Sequence, residues 1–199
     1  MCYRTKLTAT ISQIEEKFEG KLEPVPDLFV PTRELNGFAK PLTPVLCSDA
    51  SRQLQLAQWG YEVNWQTAPL LNAVFETAQE KASFKGTYHQ RCIIVVDGFY
   101  EWKWLDAKGK LKEKFLLQRD GEDVFFLAGQ YRDVFTPGSE IAQREYVIYT
   151  LPAEGIMREI HNSKLRMPFA LLQVEDALAY LQGEIPEAWF EFQAISQVG

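Results

Sequence analysis

An α+β fold is predicted, mainly antiparallel β with a barrel-like sheet and short peripheral helices. Three observations predict it. Strand-like runs, either alternating or continuously apolar, fill most of the chain. Helical periodicity is confined to a few short segments. No internal repeat, low-complexity tract or linker interrupts the sequence, so residues 1–199 are expected to form one domain.

The elements follow in order. SQIEEKFEG predicts a helix: Ser12 stands three before Glu15 as a capping box, Ile14 and Phe18 lie one turn apart, and Gly20 is the stop. LEPVPDLFVP is rich in proline but too short and too apolar for a linker. LQLAQWGYEV alternates and reads as a strand. NAVFETAQEK, residues 72–81, is assigned to a second helix. CIIVV is a buried strand run. KFLLQR and EDVFFLAGQYR flank Asp120-Gly121, a hairpin signal. EYVIYT, RMPFALL and WFEFQAI read as further strands. Two helices complete the set: PAEGIMREIH, with Pro152 suited to a first turn, and VEDALAYLQG, with Val174, Ala177, Leu178 and Leu181 on one face before Gly183.

Composition narrows the function. With 46% hydrophobic and 24% charged residues, the 199-residue chain is ordinary for a globular protein. No run reaches the roughly 18 apolar residues of a membrane helix, and MCYRTKLTAT is not a secretory signal. A cytoplasmic location is expected. Cys2, Cys47 and Cys92 are too few and too widely spaced for a disulfide framework or a zinc site, so no metal or other cofactor is expected. Cys47 and Cys92 adjoin apolar runs and read as buried small hydrophobes. A net charge of −6 argues against indiscriminate nucleic-acid binding but leaves room for a local basic groove from Arg4, Arg33, Lys40, Lys81, Lys85 and Arg91.

Three stretches carry chemistry. In MCYR, removal of Met1 would leave Cys2 with a free α-amine beside a thiol, though a residue must stand there in any protein. In DGFYEWKW, an extended backbone puts Tyr100, Trp102 and Trp104 on one face, read as core anchors, and Phe99, Glu101 and Lys103 on the other. Glu101 is then either a solvated strand carboxylate or one held at the mouth of a pocket. In REIHNSKLRMP, His161 lies between a short helix and a strand, where a hydrogen-bonded structural role competes with a catalytic one. His89, the other of two histidines, reads as structural.

These pieces form an ordered series: the MC start, Trp59-Gly60, NAxxET at Asn72, the Phe84-Lys85 pair, VDGFYEWK and IH…RMP. The series resembles the SOS response-associated peptidase (SRAP) family, from Cys2 to about Leu172. The resemblance implies removal of Met1, in a hydrolase-type autoprocessing step, and a covalent crosslink between Cys2 and abasic sites in single-stranded DNA. It implies a site of Cys2, Asn72, Glu101 and His161. It also implies a DNA face that includes Arg4, Trp59 and Gly60, to which we add Lys40, Lys85, Lys164 and Arg166 as candidate phosphate contacts. Abasic single-stranded DNA is thus the expected partner, with a monomeric, nucleoid-associated protein and no membrane. Trp59, Tyr61 and Trp65 are candidates either to cap unstacked bases or to pack the core.

The residue types suit those roles. An amine and an aldehyde give a reversible imine, and a thiol on the adjacent carbon closes a five-membered thiazolidine on it. An α-amine titrates near about 7.7–8.0 and a thiol near about 8.5, so both are partly competent near neutrality. Ring opening of the sugar needs a proton removed and a proton delivered. Glu101 is assigned the Cys2 amine and ring opening, His161 the departing oxygen and Asn72 positioning, with the swapped acid–base split left open. The chain departs from the family pattern at Tyr3, where a small residue is usual, and at Val74, where an arginine is usual. GFAK, Gly37–Lys40, replaces a usual N-x-A-P, and HNSKLRMP is longer than the common loop. Two other classes remain: a thiol peptidase acting on other proteins, and a non-covalent single-strand-binding module.

Overall fold

A computed structural model describes residues 2–19, 22, 29–135, 138 and 142–197. In chain order the first elements are β1 (Arg4–Leu7), α1 (Ile11–Lys17), β2 (Thr32–Asn36), β3 (Leu42–Cys47), β4 (Ala50–Trp59), β5 (Asn72–Val74), β6 (Arg91–Val96) and β7 (Gly98–Trp104). Then come β8 (Lys112–Gln118), β9 (Phe125–Val134), β10 (Gln143–Pro152), α2 (Met157–Ile160), β11 (Arg166–Pro168), β12 (Ala170–Leu171), α3 (Val174–Leu181) and β13 (Gln193–Ser196).

The strands make two sheets. One is antiparallel and five-stranded, in the order β13-β8-β7-β1-β2. The other closes on itself. β10 pairs with β4, β4 with β3, β3 with β6, β6 with β9, and β9 with β10 again. The result is the mainly β, α+β architecture expected, with a ring of strands and short helices outside it. Closure depends on β10, whose ten residues pair antiparallel with β9 on one edge and parallel with β4 and then β5 on the other. At the β9–β10 contact the backbones are so close that a Cβ on Gly129 would lie 2.3 Å from Val147 O.

The CIIVV run explains where the core lies. In β6, Ile93 and Val95 face one apolar cluster with Phe126, Tyr149 and α3, while Cys92, Ile94 and Val96 face a second with Cys2, Phe99 and Leu127. Both faces are covered, so a continuous apolar run is stable in one strand. Cys47 and Cys92 are fully buried opposite each other in the β3–β6 register. Burial pushes both thiols up, Cys47 to about 12, which suits the apolar reading.

Three local readings change. α1 is capped by Thr10, not Ser12: Gln13 N donates to Thr10 Oγ1 at 3.3 Å and Thr10 N to Gln13 Oε1 at 2.8 Å. Ile14 and Phe18 are buried as expected, and Gly20 lies outside the described residues. NAVFETAQEK is not a helix. Asn72–Val74 runs parallel to Ile148–Thr150 and only a 3₁₀ turn, Phe75–Thr77, follows. Tertiary pairing overrides a weak helical propensity there. Finally, Asp120-Gly121 does turn the chain, with Gly121 at φ 81°, but β8 and β9 do not pair. β8 pairs with β7 and β13, whereas β9 belongs to the ring, so the turn carries the chain between sheets. An Asp-Gly pair specifies a turn, not the partners of its flanking strands.

Candidate functional site

The site is built around the first strand. β1 is central: Arg4 stands opposite Asn36 of β2 on one side and Tyr100 of β7 on the other. Its far end is tied down by Asp97. Lys6 Nζ lies 3.4 Å from Asp97 Oδ1, and Asp97 Oδ2 accepts from Thr8 Oγ1 at 2.6 Å and Ala9 N at 3.0 Å. The chain before Arg4 is therefore carried along β7 toward Trp102. Cys2 is fully buried there. Gly37 N donates to Tyr3 O at 3.0 Å, and Asn72 Nδ2 donates to Cys2 O at 2.8 Å. It is the strand β5, not a helix, that delivers Asn72. Asn72 Oδ1 is buried without a hydrogen-bond partner among the described residues, so the amide has acceptor capacity left.

β7 alternates, but with the faces reversed from expectation. Phe99 and Glu101 point inward and are buried, at 0% and 4% exposure, while Trp102 and Trp104 are only half-buried. Cations cover that outer face. Lys114 Nζ sits 4.3 Å over the Tyr100 ring, Lys112 Nζ 5.4 Å over Trp104, and the Arg4 guanidinium 5.8 Å over Trp102. Tyr100 is buried, but Trp102 and Trp104 are thus no core anchors, and Glu101 is not a solvated strand residue. Glu101 borders a cleft of about 210 Å³ together with Tyr3, Trp102, His161 and Lys164.

His161 reaches the cleft from the loop after α2. Its backbone N donates to Met157 O at 2.9 Å, and Leu165, at φ 52°, returns a bond to His161 O at 2.8 Å. Its Nδ1 lies 2.6 Å from Arg166 O. A carbonyl can only accept, so Nδ1 carries the proton and the neutral ring presents Nε2 as an acceptor. Burial lowers the His161 pKa, and the Glu101 charge opposes but does not cancel that. The Cys2 thiol moves the other way: burial, then the Glu101 charge, hold it far above the usual thiol range.

Of the cations expected on the DNA face, Lys164 is exposed and borders the cleft. Arg4 shares Glu34 with Lys114, and Lys40, at φ 53°, pairs with Glu62 at 2.6 Å. Arg166 makes a bidentate bond to Glu76 at 2.7 and 2.8 Å, which locks the His161 loop to the turn after β5. Lys85 is exposed in a 3₁₀ turn beside β9 and does not line the cleft. Trp59 is corrected to a core residue. It is fully buried, its Nε1 donates to Leu71 O at 3.1 Å, and it stacks on Tyr146. Gly60 is buried at φ 105° beside it, and Tyr61 is buried against Gln130 and Thr87. Trp65 is 61% exposed. Val74 is part-exposed at the end of β5 and brings no charge. His89 is exposed with its ring 5.7 Å from Tyr88. Tyr3, singled out in sequence as a departure from the family pattern, lines the cleft, and what sequence reasoning missed is the Trp102–Trp104 face. The signal for that face was present in KLKEKF, whose Lys112 and Lys114 stand opposite Trp104 and Trp102.

Among the described residues no group of three or more His, Cys, Asp or Glu is placed to hold a metal ion, and no helix is long and apolar enough to cross a membrane. The model of one protein family, SOS response associated peptidase (SRAP), matches residues 1–194. Abasic site processing protein YoqW of Bacillus subtilis is 31% identical over 182 residues, spanning 86% of this chain and 76% of its own length. Abasic site processing protein YedK of Escherichia coli is 32% identical over 145 residues, spanning 71% and 61%. A crystal structure of a Bacteroides thetaiotaomicron protein superposes with a TM-score of 0.76 at 22% identity, over 94% of this chain and 83% of that one. That likeness is one of fold.

Proposed function

This chain belongs to the SOS response associated peptidase family, and on that premise we propose that it captures abasic sites in single-stranded DNA through Cys2. The carrying observation is the seat of Cys2: buried two residues before the central strand β1, its carbonyl held by Asn72, and adjacent in sequence to Tyr3, which lines a cleft together with Glu101 and His161.

The steps balance as follows. Hydrolysis of the Met1–Cys2 bond consumes one water and leaves an amine on Cys2. The sugar opens when its hydroxyl loses a proton and its ring oxygen gains one. The amine adds to the aldehyde, water leaves, and an imine forms. The S–H then adds across C=N, sulfur to carbon and proton to nitrogen. The product is protein plus DNA minus one water. A neutral His161 with Nε2 as acceptor supports a base role for the imidazole at the sugar hydroxyl, in addition to its delivery of a proton to the departing ring oxygen. The imidazole takes the hydroxyl proton and returns it to the ring oxygen, and Glu101 serves the amine and the departing hydroxyl. Asn72 orients the Cys2 backbone.

The raised thiol bears on the rival readings. A peptidase that attacks other proteins needs a ready thiolate, and thiolates form where positive charge lowers the pKa. Burial and Glu101 do the reverse at Cys2. This favours the amine as first nucleophile, with the thiol closing the ring.

Intact mass spectrometry, before and after incubation with a single-stranded oligonucleotide carrying one abasic site, tests the proposal. The expected result is a protein lacking Met1 that gains the DNA mass minus one water, with no persistent adduct from Cys2→Ala. Retained methionine, or loss of methionine with no adduct, would sink it.

A further inference from the structure

We propose that Trp104 is a stacking platform for the base next to the abasic sugar, and that the pocket beyond it is a nucleotide subsite. This rests on the abasic-site reading above. A second cavity, about 440 Å³, adjoins the cleft of Glu101 and His161, and the two share Trp104 and Ser163. Leu105, Asp106, Ala107 and Asn162 form its other walls. Its volume falls within the roughly 300–1,000 Å³ of pockets that enclose organic ligands, while the 210 Å³ cleft falls below it. The small cleft suits a sugar that has lost its base. The larger one suits the neighbour that kept its base.

Trp104 is built to stay in place. Asn162 clamps its backbone twice: Trp104 N donates to Oδ1 at 3.0 Å, and Nδ2 donates to Trp104 O at 2.9 Å. The hairpin turn packs on the indole at Gly109, where φ is 63° and a Cβ would come within 2.6 Å of the ring. A ring propped by a turn and anchored through its backbone gives up little freedom when a base stacks on it.

The surrounding charge identifies the occupant. Residues 102–114 contain Lys103, Lys108, Lys110, Lys112 and Lys114 against Asp106 and Glu113, a net +3 in a chain of net −6; of these lysines, Lys114 is paired with Glu34. Asp106 is engaged by the turn itself, accepting from Lys108 N at 2.7 Å, Lys110 N at 3.3 Å and Leu111 N. Lys112 and Lys164 border the cleft of Glu101 and His161. Aromatic faces interleaved with cations are what a single strand offers its bases and phosphates to.

The test compares abasic oligonucleotides that carry, on one side and then on the other, either a normal nucleotide or a base-free spacer. The half-saturating concentration for adduct formation is read for wild type, Trp104→Leu and Trp104→Phe. In wild type a base on one side should tighten binding by about 5- to 150-fold. Trp104→Leu should erase that difference and Trp104→Phe should keep most of it, which also controls for folding. No base effect on either side, or a full effect in Trp104→Leu, overturns the proposal. If no oligonucleotide forms an adduct, the abasic-site reading fails separately. Fluorescence titration with a chemically reduced abasic strand then decides: a base-dependent affinity lost in Trp104→Leu supports the platform, and equal affinities overturn it.

Discussion

At the scale of single residues, burial pushes Cys2 and His161 away from their solution behaviour. His161 shows the consequence most directly. Its pKa is lowered in the folded chain, while the unfolded chain takes up the proton near about 6.5. Below that value the unfolded state binds more protons, so stability falls as pH drops through the lowered folded pKa. The carboxylates of Glu34, Glu62 and Glu76, also lowered, act in a more acid window, below about 4.3. Thermal melts between pH 7 and pH 5 should therefore show a loss of stability that His161→Asn reduces. Identical pH profiles for the two proteins would mean that His161 is not held neutral. Cys2, Glu101 and His161 are singled out in sequence by their own side-chain chemistry and setting, whereas Asn72 enters only through the resemblance to the family. The direction each faces was not legible there. Trp102 and Trp104 were assigned inward on hydrophobicity alone, yet Lys112, Lys114 and Arg4 cover them from outside.

At the scale of elements, the long strands were readable and the short ones were not. β6, β10 and α3 followed from buried runs and a clean apolar face, since Val174, Ala177 and Leu181 are all buried. β5 has three residues and exists only because β10 offers it a parallel partner, so NAVFETAQEK looked helical in isolation. β10 also makes a prediction at this scale. Ring closure brings Val147 O to within 2.3 Å of any Cβ placed on Gly129, and backbone cannot yield as a side-chain end can. Gly129→Ala should destabilise by about 3 kcal/mol, at the upper end for overpacking. For a chain of this length that lowers Tm by roughly 6–12 °C. Calorimetry would test it, and an unchanged Tm would show that β9 and β10 can separate without loss.

At the scale of the whole molecule, a chain of net charge −6 that is to hold a polyanion must do so with local rather than global charge. Arg4, Lys40 and Arg166 looked like phosphate contacts in sequence, but each is spoken for by Glu34, Glu62 or Glu76. Lys112 and Lys164 border the cleft. Affinity for a reduced abasic single strand should fall with salt, with a log–log slope of about −0.7 per phosphate engaged. Lys112→Gln should reduce that slope by about 0.7, and Arg4→Gln should change it less. Anisotropy titrations over a range of salt would measure both, and a larger effect at Arg4 would relocate the DNA path to the Glu34 edge.

The order of residues alone established the mainly β class, the buried runs, the short helices and the reactive inventory, because those depend on side-chain chemistry and on periods of two and 3.6 residues. Folding settled the neighbourhoods. A period-two strand has two faces in sequence, and nothing local says which meets the core, so Glu101 and Trp104 exchanged sides when β7 joined β1 and β8. Pairing between distant strands placed Asn72 on Cys2 and carried the Asp120-Gly121 turn from one sheet to the other. Ion pairing between segments far apart in the chain separated the cations that stay available from those already matched, a distinction that depends on distance in space rather than on position in sequence.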